Sequence, residues 1–375
     1  MGRHAQAGIR AQIIDADAAA TWRDAWCRLA AEAGTANPFY APDGVAAGML
    51  LPEAQRPRLL LVWDADTLIG LLPIAAQRRR GVAISVENWD QRLRALGEPL
   101  VLPGREPEFW RAALDCAGRL PGWWLRLSAL DPHSPATRAL VALLRASGRP
   151  CYETRAYERA VLLHGLTSEQ HAAQHIRGKV LKEHRRLRAR LADRGELRFE
   201  RLSGDATVAP WIDDLFRLEE TGWKGREGVA ASADAGTEAC FRRMIESAHA
   251  AGDLDFHRMT VGGQVIAMLA NLERGGEAFQ LKIAYDEEWA SFSPGVLIEM
   301  AYLTYALDKR GLARVDSCAR AGHPMIDRIW PERRRIVSLI VPHATPWSRL
   351  ICRAQMAWRA RRQPQLNRDM GDSKT

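Results

Sequence analysis

The chain has 375 residues, enough for two domains of ordinary size, and 47% of them are hydrophobic, as in globular proteins. Its formal net charge of +8 favours an anionic partner such as a phosphate-bearing cofactor, a nucleic acid or an acidic membrane face. The six cysteines include no C-x-x-C pair, which argues against a disulfide framework and indicates reduced thiols. Because no signal peptide and no bilayer-spanning apolar run is recognisable, we expect a cytoplasmic protein.

The first half of the chain predicts helices that alternate with strands. A helix is expected over 18–33, followed by a hairpin in which RLLLVW and TLIGLLPIAAQ flank a turn at 64–66. A helix over 106–120 and the strand WWLRLSAL come next. Ser134-Pro135 then predicts a helix start, because the missing N–H of proline costs nothing in the first turn.

The second half repeats this order of elements. A basic helix over 167–194 leads to the strand LRFERL, the helix APWIDDLFRLEETGW and a helix over 237–250. Gly262-Gly263 predicts a hairpin between LDFHRM and QVIAMLANL. Gly275-Gly276 turns into a third strand, AFQLKIAYD, which is followed by a helix starting at SPG and by the strand ARVDSCA.

The two hairpins, LVWDADTLIGLLPIA and RMTVGGQVIAMLANL, indicate a weak internal repeat, although any two antiparallel hairpins share some of this pattern. We therefore predict an α/β (α+β) fold with two related halves, at 1–160 and 161–342. A basic amphipathic tail at 343–375 completes the predicted division.

The stretch KIAYDEEWASFSPGVLIEMA joins the third strand to an apolar helix. Ser293 can cap this helix, Pro294 fits its first turn, and Gly295 would let a ligand approach the backbone. A helix N-terminus offers unpaired N–H groups and the positive end of the helix dipole, which together can bind a phosphate. A plain capped helix also explains these three residues.

The order of hairpin, third strand, loop, glycine-bearing helix and further strand resembles the Gcn5-related acetyltransferase (GNAT) fold. LKIAYDEEWASFSPGVLIEMA, GKVLKEHRRLRARLADRGELRF and LFRLEETGWKGREG look like the CelD-like acyltransferases, a family often labelled for cellulose biosynthesis. That family resembles the tandem-GNAT aminoacyl transferases of peptidoglycan assembly. The resemblance covers 162–341 well and the first half loosely. It implies two GNAT-like halves, the first degenerate, each with a mixed and mostly antiparallel sheet flanked by helices.

The resemblance also implies acyl-CoA or acetyl-CoA as the co-substrate, with its pyrophosphate on the SPG turn and its pantetheine arm between AFQLKIAYD and ARVDSCA. Phe292, Ser293, Gly295 and Val296 are the expected cofactor-binding residues. The usual pyrophosphate signature of the fold, Arg/Gln-x-x-Gly-x-Gly/Ala, is absent, and SFSPGV stands in its place.

Four residues on the two strands are candidates for catalysis. Acyl transfer needs a base for the attacking amine and often an acid for the leaving thiolate. Asp286 or Asp316 could be the base or orient a water that is, and Tyr285 could protonate the thiolate. Lys282 is a candidate because a lysine in an apolar strand needs an anionic partner or ligand. Asp286 could instead cap the following loop.

The segment EETGWKGREG is polar and glycine-punctuated, like loops that line active sites. The resemblance implies an acceptor-side role for Glu220, Trp223, Lys224 and Arg226. A surface loop without contact to the substrate is the alternative.

Two further patterns contain histidines. His323 is assigned to substrate binding; a Cys318–His323 nucleophile pair is conceivable, but direct transfer is expected for this fold. His171 and His175 have the i, i+4 spacing of metal sites, but no Glu lies between them and the sequence shows no third ligand. We therefore predict a solvated helix face there, and no metal.

Lys and Arg are dense over 177–194, above an apolar stripe of Ile176, Val180, Leu187 and Leu191. We expect a solvated helix that packs through this stripe. An anionic lipid or polyphosphate acceptor is a second interpretation, and nucleic acid is not expected because no known nucleic-acid-binding motif accompanies the helix.

The tail places five residues on one helical face: Trp347, Leu350, Ile351, Ala354 and Trp358. With arginines elsewhere on the helix, this composition is typical of a helix that lies in a membrane interface. It predicts contact with an anionic membrane surface through 345–362, and hence a peripheral position on the inner membrane face. Docking onto its own domain is the alternative.

Together these features predict an acyl-CoA-dependent N-acyltransferase. It would transfer an acyl group, by direct attack on the thioester, to an amine of a lipid such as a sphingoid base or of an envelope or polysaccharide precursor. The alternatives are an aminoacyl-tRNA-dependent transferase acting on a cell-wall precursor and a catalytically inactive, membrane-associated scaffold.

Overall fold

The structure is a computed structural model of the chain, and it describes residues 8–52, 56–79, 81–90, 93–222 and 235–362. The chain forms two compact units. Unit 1 comprises the described residues of 1–157 and 335–375, and unit 2 comprises those of 158–334. None of the described helices is long and apolar enough to cross a lipid bilayer.

The strands, in chain order, are β1 (Ile9–Asp15), β2 (Arg58–Asp64), β3 (Thr67–Arg79), β4 (Val82–Asn88), β5 (Leu100–Val101), β6 (Trp124–Leu130), β7 (Tyr152–Leu163), β8 (Leu197–Arg201), β9 (Leu254–Val261), β10 (Gln264–Arg274), β11 (Glu277–Tyr285), β12 (Arg314–Asp316) and β13 (Glu332–Pro342). The α-helices are α1 (Arg23–Glu32), α2 (Pro42–Gly48), α3 (Glu106–Ala117), α4 (Pro135–Ala146), α5 (Ser168–His175), α6 (Gly178–Ala192), α7 (Ala209–Thr221), α8 (Ala235–Ala250), α9 (Pro294–Tyr305) and α10 (Pro346–Arg362).

The two units share one order of elements. In unit 1, β1 is followed by helices, the antiparallel strands β2, β3 and β4, helix α3, and β6, which pairs with β4 in parallel. In unit 2, β8 is followed by α7 and α8, the antiparallel strands β9, β10 and β11, helix α9, and β12, which pairs with β11 in parallel. The predicted α/β architecture of two related halves, each with a mixed and mostly antiparallel sheet, is therefore confirmed.

In each unit, one pairing of the last strand of the repeated order uses a strand from a distant part of the chain. In unit 2, β12 pairs antiparallel with β7, and in unit 1, β6 pairs antiparallel with β13. The chain thus returns to unit 1 after unit 2 is complete. For this reason the described residues after 334 belong to unit 1, whereas the sequence patterns divided the chain at 160 and 342.

Local chemistry explains the hairpins of unit 2. Gly262 and Gly263 adopt φ values of 56° and 85°, a left-handed conformation that costs glycine little and matches the twist of a tight hairpin. Gly275 and Gly276 join β10 to β11 in the same conformation, with φ values of 57° and 77°. Both predicted turns are confirmed.

Helices α6 and α9 pack into the core of unit 2, and this packing positions the site described below. Leu187 and Leu191 of the predicted stripe are buried there, together with Ile298 and Tyr302 of α9. Burial of each such side chain stabilises the unit by about 1.5–3 kcal/mol. The predicted packing of the basic helix through its apolar stripe is confirmed.

Two of the predicted helices are divided differently in the structure. The helix predicted over 167–194 is interrupted, because Ile176 and Arg177 are extended, with ψ values of 124° and 133°. This break lets Ile176 reach the core, where it is 5% exposed. Residues 16–22 form a 3-10 helix ahead of α1, where one continuous helix over 18–33 was predicted.

Candidate functional site

Helix α9 begins at the SPG sequence, as predicted. Ser293 is left-handed, with φ 53° and ψ 52°, and Pro294 occupies the first turn. The N–H groups of Val296 and Leu297 both donate to Ser293 O, at 3.0 and 3.1 Å. Among the described residues no acceptor takes up the N–H of Gly295, and the Ser293 side chain makes no capping bond. The turn therefore offers an anion one backbone donor and one hydroxyl.

Gly295 lies close to a protein neighbour. A Cβ at this position would lie 3.2 Å from Tyr285 Cδ1 and 3.7 Å from Met325 Sδ. The predicted close approach of a ligand to Gly295 stays a prediction, and the structure adds that a side chain here would crowd the Tyr285 ring, which would have to shift by a few tenths of an ångström. Tyr285 thus packs directly on the start of α9.

The basic helix α6 brings positive charge beside this turn. The guanidinium carbons of Arg190 and Arg194 lie 5.1 and 6.0 Å from the ring centroid of Phe292, which directly precedes Ser293. Both arginines are exposed, and neither forms an ion pair with a described residue. The sequence patterns did not assign these arginines to the site, because their proximity to the turn depends on how α6 packs in the core.

Lys282 on β11 pairs with a buried carboxylate. Its Nζ lies 2.9 Å from Glu219 Oε2, and the side chains of Lys282 and Glu219 are 14% and 0% exposed. The expectation that this lysine needs an anionic partner is met by a residue that the sequence patterns missed, since they selected the exposed Glu220. Glu219 follows Leu215 at i, i+4 on the apolar face of α7, and an acid on a buried stripe is the signal that could have revealed it.

A small cavity of about 30 Å³ lies where α7 and β11 end. It is lined by Leu218, Glu219, Gly222, Ile283, Ala284, Tyr285 and Glu287. Tyr285 is thus a residue shared by this cavity and the SPG turn, because its ring also packs against Gly295. The predicted acceptor-side residues Trp223, Lys224 and Arg226 lie outside the described residues.

The strands β11 and β12 separate beside the start of α9. They pair only over 277–279 with 314–316, and β11 continues to Tyr285 without β12. Gln280, the first residue beyond this pairing, donates from Nε2 to Glu299 Oε2 at 2.9 Å. Burial raises the pKa of Glu299 to about 7, so this acid on α9 is protonated in mildly acidic solution. The gap between the strands is where the pantetheine arm was expected.

Asp286 acts as a cap. Its carboxylate accepts the Glu288 N–H at 3.0 Å and the Gln264 Nε2 at 3.1 Å, and it precedes the 3-10 helix Glu287–Phe292. This is the alternative that the sequence left open. With both oxygens engaged, Asp286 is poorly placed to accept a proton from an amine.

Asp316 forms a buried ion-pair cluster. Its oxygens lie 2.6 Å from Arg159 Nε and 2.9 Å from Arg334 Nη1, and the three side chains are at most 3% exposed. Burial raises the pKa of Asp316, but the two arginines outweigh it and hold the pKa below its ordinary value. Such a stabilised carboxylate argues against the predicted role of Asp316 as a base and indicates a structural one.

The residues after β12 also have local roles. Burial raises the pKa of the Cys318 thiol, and the neighbouring Asp316 carboxylate acts in the same direction, which opposes formation of a nucleophilic thiolate. His323 accepts the Ile326 N–H at Nδ1, at 3.3 Å. A substrate-binding role for His323 stays a prediction.

Comparison with protein families places this geometry in a known domain. Residues 178–323 match the family model of the acetyltransferase (GNAT) domain. The matched range runs from α6 past β12, so the GNAT domain contains the SPG turn, the cavity and the Lys282–Glu219 pair. A comparison with curated proteins finds no match.

Solved structures with the same fold cover most of the chain. FemX has a TM-score of 0.57 at 10% identity over 88% of this chain and 98% of its own. The C-terminal domain (DUF2156) of an Agrobacterium fabrum protein, assigned as a lysylphosphatidylglycerol synthetase, has a TM-score of 0.54 at 12% identity over 90% of this chain and 96% of its own. A conserved Bacteroides thetaiotaomicron protein of unknown function has a TM-score of 0.55 at 13% identity over 86% and 97%. These similarities show a shared fold along most of the chain, and with the GNAT match over 178–323 they are consistent with two GNAT-like halves. The CelD-like branch stays a prediction.

Proposed function

We propose that the GNAT domain transfers an acyl group from acyl-CoA to an amine by direct attack on the thioester. The position of Tyr285 is the observation that carries this proposal. Its ring packs on Gly295 at the start of α9, and the same residue lines the cavity between α7 and β11. A thioester whose phosphates lie at the turn and an amine that enters from the cavity would meet beside this residue.

The phosphate side of the proposal rests on four donors. The Gly295 N–H, the Ser293 hydroxyl and the positive end of the α9 dipole favour an anion at the turn. Arg190 and Arg194 add two guanidinium groups next to it. Together these groups replace the several glycine N–H donors of the usual pyrophosphate loop, which SFSPGV lacks.

The chemistry requires two proton movements. The amine nitrogen bonds to the thioester carbon, the carbon–sulfur bond breaks, the amine loses a proton and the thiolate gains one. We assign the protonation of the thiolate to Tyr285. Glu287 lines the cavity and replaces Asp286 and Asp316 as the candidate proton acceptor, either directly or through a water. Lys282 and Glu219 would hold the end of α7 against β11.

For the acceptor, we propose an amine of a lipid or of an envelope precursor. The polar segment 219–228 supports this acceptor class. Glu219 and Gly222, which begin this segment and belong to the part of the chain that the structure describes, line the cavity. A second candidate is transfer from aminoacyl-tRNA. The basic helix α6 favours it, as does the shared fold with FemX and with a domain assigned to lysylphosphatidylglycerol synthesis.

Thermal unfolding with CoA esters of increasing chain length tests the proposal. A ligand at 100 times its Kd stabilises the folded protein by about 2.7 kcal/mol, so we expect a clear rise in Tm with acetyl-CoA or a longer ester. The acyl length that gives the largest rise identifies the donor. If neither CoA nor any ester raises the Tm, the acyl-CoA proposal is wrong. Co-purification of tRNA that is lost at high salt would then favour the second candidate.

A further inference from the structure

Three potential metal ligands lie close together in unit 2, and none of them belongs to the SPG turn or its neighbouring residues in the sequence. His171 and His175 lie on α5, and Glu332 begins β13. One ligand atom from each residue lies within 4.8 Å of the other two. The prediction of a solvated face is wrong for His171, which is 1% exposed. The third ligand was not evident from the sequence because it lies more than 150 residues away.

The hydrogen bond of His171 leaves one ring nitrogen suited to a metal. Its Nε2 lies 2.8 Å from Ile329 O, and a carbonyl oxygen only accepts hydrogen bonds. Nε2 therefore carries the proton, and Nδ1 keeps its lone pair. Metal-binding histidines commonly donate their second N–H to a backbone carbonyl in this way, which fixes the ring.

Glu332 supplies the anionic ligand. Its Oε2 is buried and accepts no hydrogen bond from the part of the chain that the structure describes. A buried polar atom without a partner costs about 1–3 kcal/mol, so such an atom in a native protein needs an explanation. A cation bound between Oε2 and the two imidazoles would remove this cost.

We propose that His171, His175 and Glu332 bind a first-row divalent metal ion, and that Zn²⁺ fits best. Two imidazoles and one carboxylate are a common ligand set for zinc, whereas calcium and magnesium prefer oxygen ligands alone. Zinc–ligand distances of about 2.0–2.2 Å place ligand atoms about 3.3 Å apart. Because His175 is exposed, its imidazole can rotate to shorten its distances to the other two ligands. The ion would join α5 to the start of β13.

Zinc binding is measured on tag-free full-length protein after chelation, by competition with a chromophoric chelator and by the visible absorption of a Co²⁺-substituted sample. We expect one tight equivalent of Zn²⁺ and the intense absorption of four-coordinate Co²⁺. H175A and E332Q each remove a direct ligand, so each is expected to weaken binding by more than the about 10–100-fold that loss of an outer-shell partner costs. H164A and E169Q, which remove exposed groups outside the cluster, serve as matched controls and should bind like the wild type.

Substoichiometric, weak binding by the wild type overturns the proposal. So does an equal loss in H164A or E169Q, because that result would assign the metal to scattered surface groups. The melting temperature of each variant without metal shows that the fold is intact, and a rise in Tm with Zn²⁺ in the wild type alone supports the site.

A second inference concerns α10 in unit 1. One face of this helix is packed, because Cys352 is fully buried with Trp124 and Ile340. Trp347 and Leu350 are 70% and 57% exposed. Docking onto its own unit and an exposed apolar face therefore both occur in this helix. Ile351, which the sequence placed on one face with Trp347 and Leu350, is half-buried against the docked side.

The charge of α10 indicates which kind of partner its exposed apolar face, at Trp347 and Leu350, contacts. Helix α10 carries arginines at 349, 353, 359, 361 and 362 and no acidic residue. Val82 and Trp123 are two further exposed apolar residues of unit 1. Trp123 directly precedes Trp124, and Val82 lies two residues before Ile84; both Trp124 and Ile84 pack with Cys352. An exposed tryptophan and leucine flanked by arginines match a membrane interface, where aromatic rings lie at the headgroups and cations contact anionic lipid.

We propose that this face of α10 binds an anionic lipid surface. Co-sedimentation of the full chain with phosphatidylglycerol-containing vesicles should exceed that with phosphatidylcholine alone and should fall as salt is raised. W347A/L350A is expected to lower the partition coefficient about tenfold or more, from the apolar area removed. L163A, which removes an exposed leucine of unit 2, is the matched control.

Equal sedimentation of the wild type and W347A/L350A would refute the lipid surface. A wild-type dimer that W347A/L350A converts to a monomer would also refute it, because a second copy of the chain would then cover this face.

Discussion

Replacement of Asp316 by asparagine is expected to lower the free energy of unfolding of unit 2 by about 3–5 kcal/mol, the usual cost of removing one partner from a buried ion pair. The substitution deprives Arg159 and Arg334, which are 2% and 3% exposed, of their shared carboxylate. Urea unfolding at neutral pH measures the loss. D213N is the matched control, because Asp213 forms an exposed pair with Arg242 at 2.9 Å that should contribute less than about 1 kcal/mol.

The effect of Asp316 should depend on pH in a defined direction. Its pKa is lowered in the folded protein, so its stabilisation is complete at neutral pH and is lost as the pH falls below about 4. The difference between the wild type and D316N should therefore shrink on acidification. A small loss at neutral pH, or a difference that grows in acid, would contradict the assigned ion-pair cluster. If D316N does not accumulate as folded protein, the acid unfolding profile of the wild type still tests whether stability falls as the pH drops below about 4.

Removal of the two arginines beside Phe292 is expected to weaken CoA binding about 100-fold in the R190A/R194A double variant. Each exposed charge that contacts a phosphate is assigned about 1.4 kcal/mol, or about tenfold in Kd. Calorimetric titration with CoA gives the affinity. R185A removes an exposed arginine of the same helix, α6, that forms no contact with Phe292, and it should bind CoA like the wild type.

Two further measurements distinguish direct phosphate contacts of Arg190 and Arg194 from the overall positive charge of α6. Pantetheine, which lacks the phosphates, should bind the wild type and the double variant equally. The CoA affinity of the wild type should fall more steeply with salt than that of R190A/R194A. An equal loss in R185A would show that the overall charge of α6 matters and that Arg190 and Arg194 have no special position.

Features that depend on neighbouring residues were predictable from the sequence. Paired glycines adopt positive φ values at little cost whatever the rest of the fold, so the predicted turns at 262–263 and 275–276 were correct. The Ser134 side chain accepts the Thr137 N–H within one helical turn, as its Ser-Pro pattern predicts. The start of α9 at the SPG sequence has the same local origin.

Features that depend on pairing between distant segments were not predictable. The patterns did not indicate β7 or β13, because each strand is defined by partners from another part of the chain. Asp316 was read as a possible base because Arg159 is 157 residues away and its approach cannot be inferred from spacing. For the same reason the sequence selected Glu220, while the structure shows that its neighbour Glu219 is the one that binds Lys282.

The sequence alone determined that this chain holds two related α/β halves, that a helix begins at Ser293-Pro294-Gly295, and that Lys282 needs a counter-charge. The two halves follow from the repeated order of elements and from the family resemblance, whereas the helix start and the counter-charge follow from backbone preferences and from the cost of burying a charge, which act over a few residues. Only the tertiary structure decided which side chains share the site. Packing of α6 in the core brought Arg190 and Arg194 to Phe292, and the course of the chain back toward unit 1 brought Glu332 to His171 and His175.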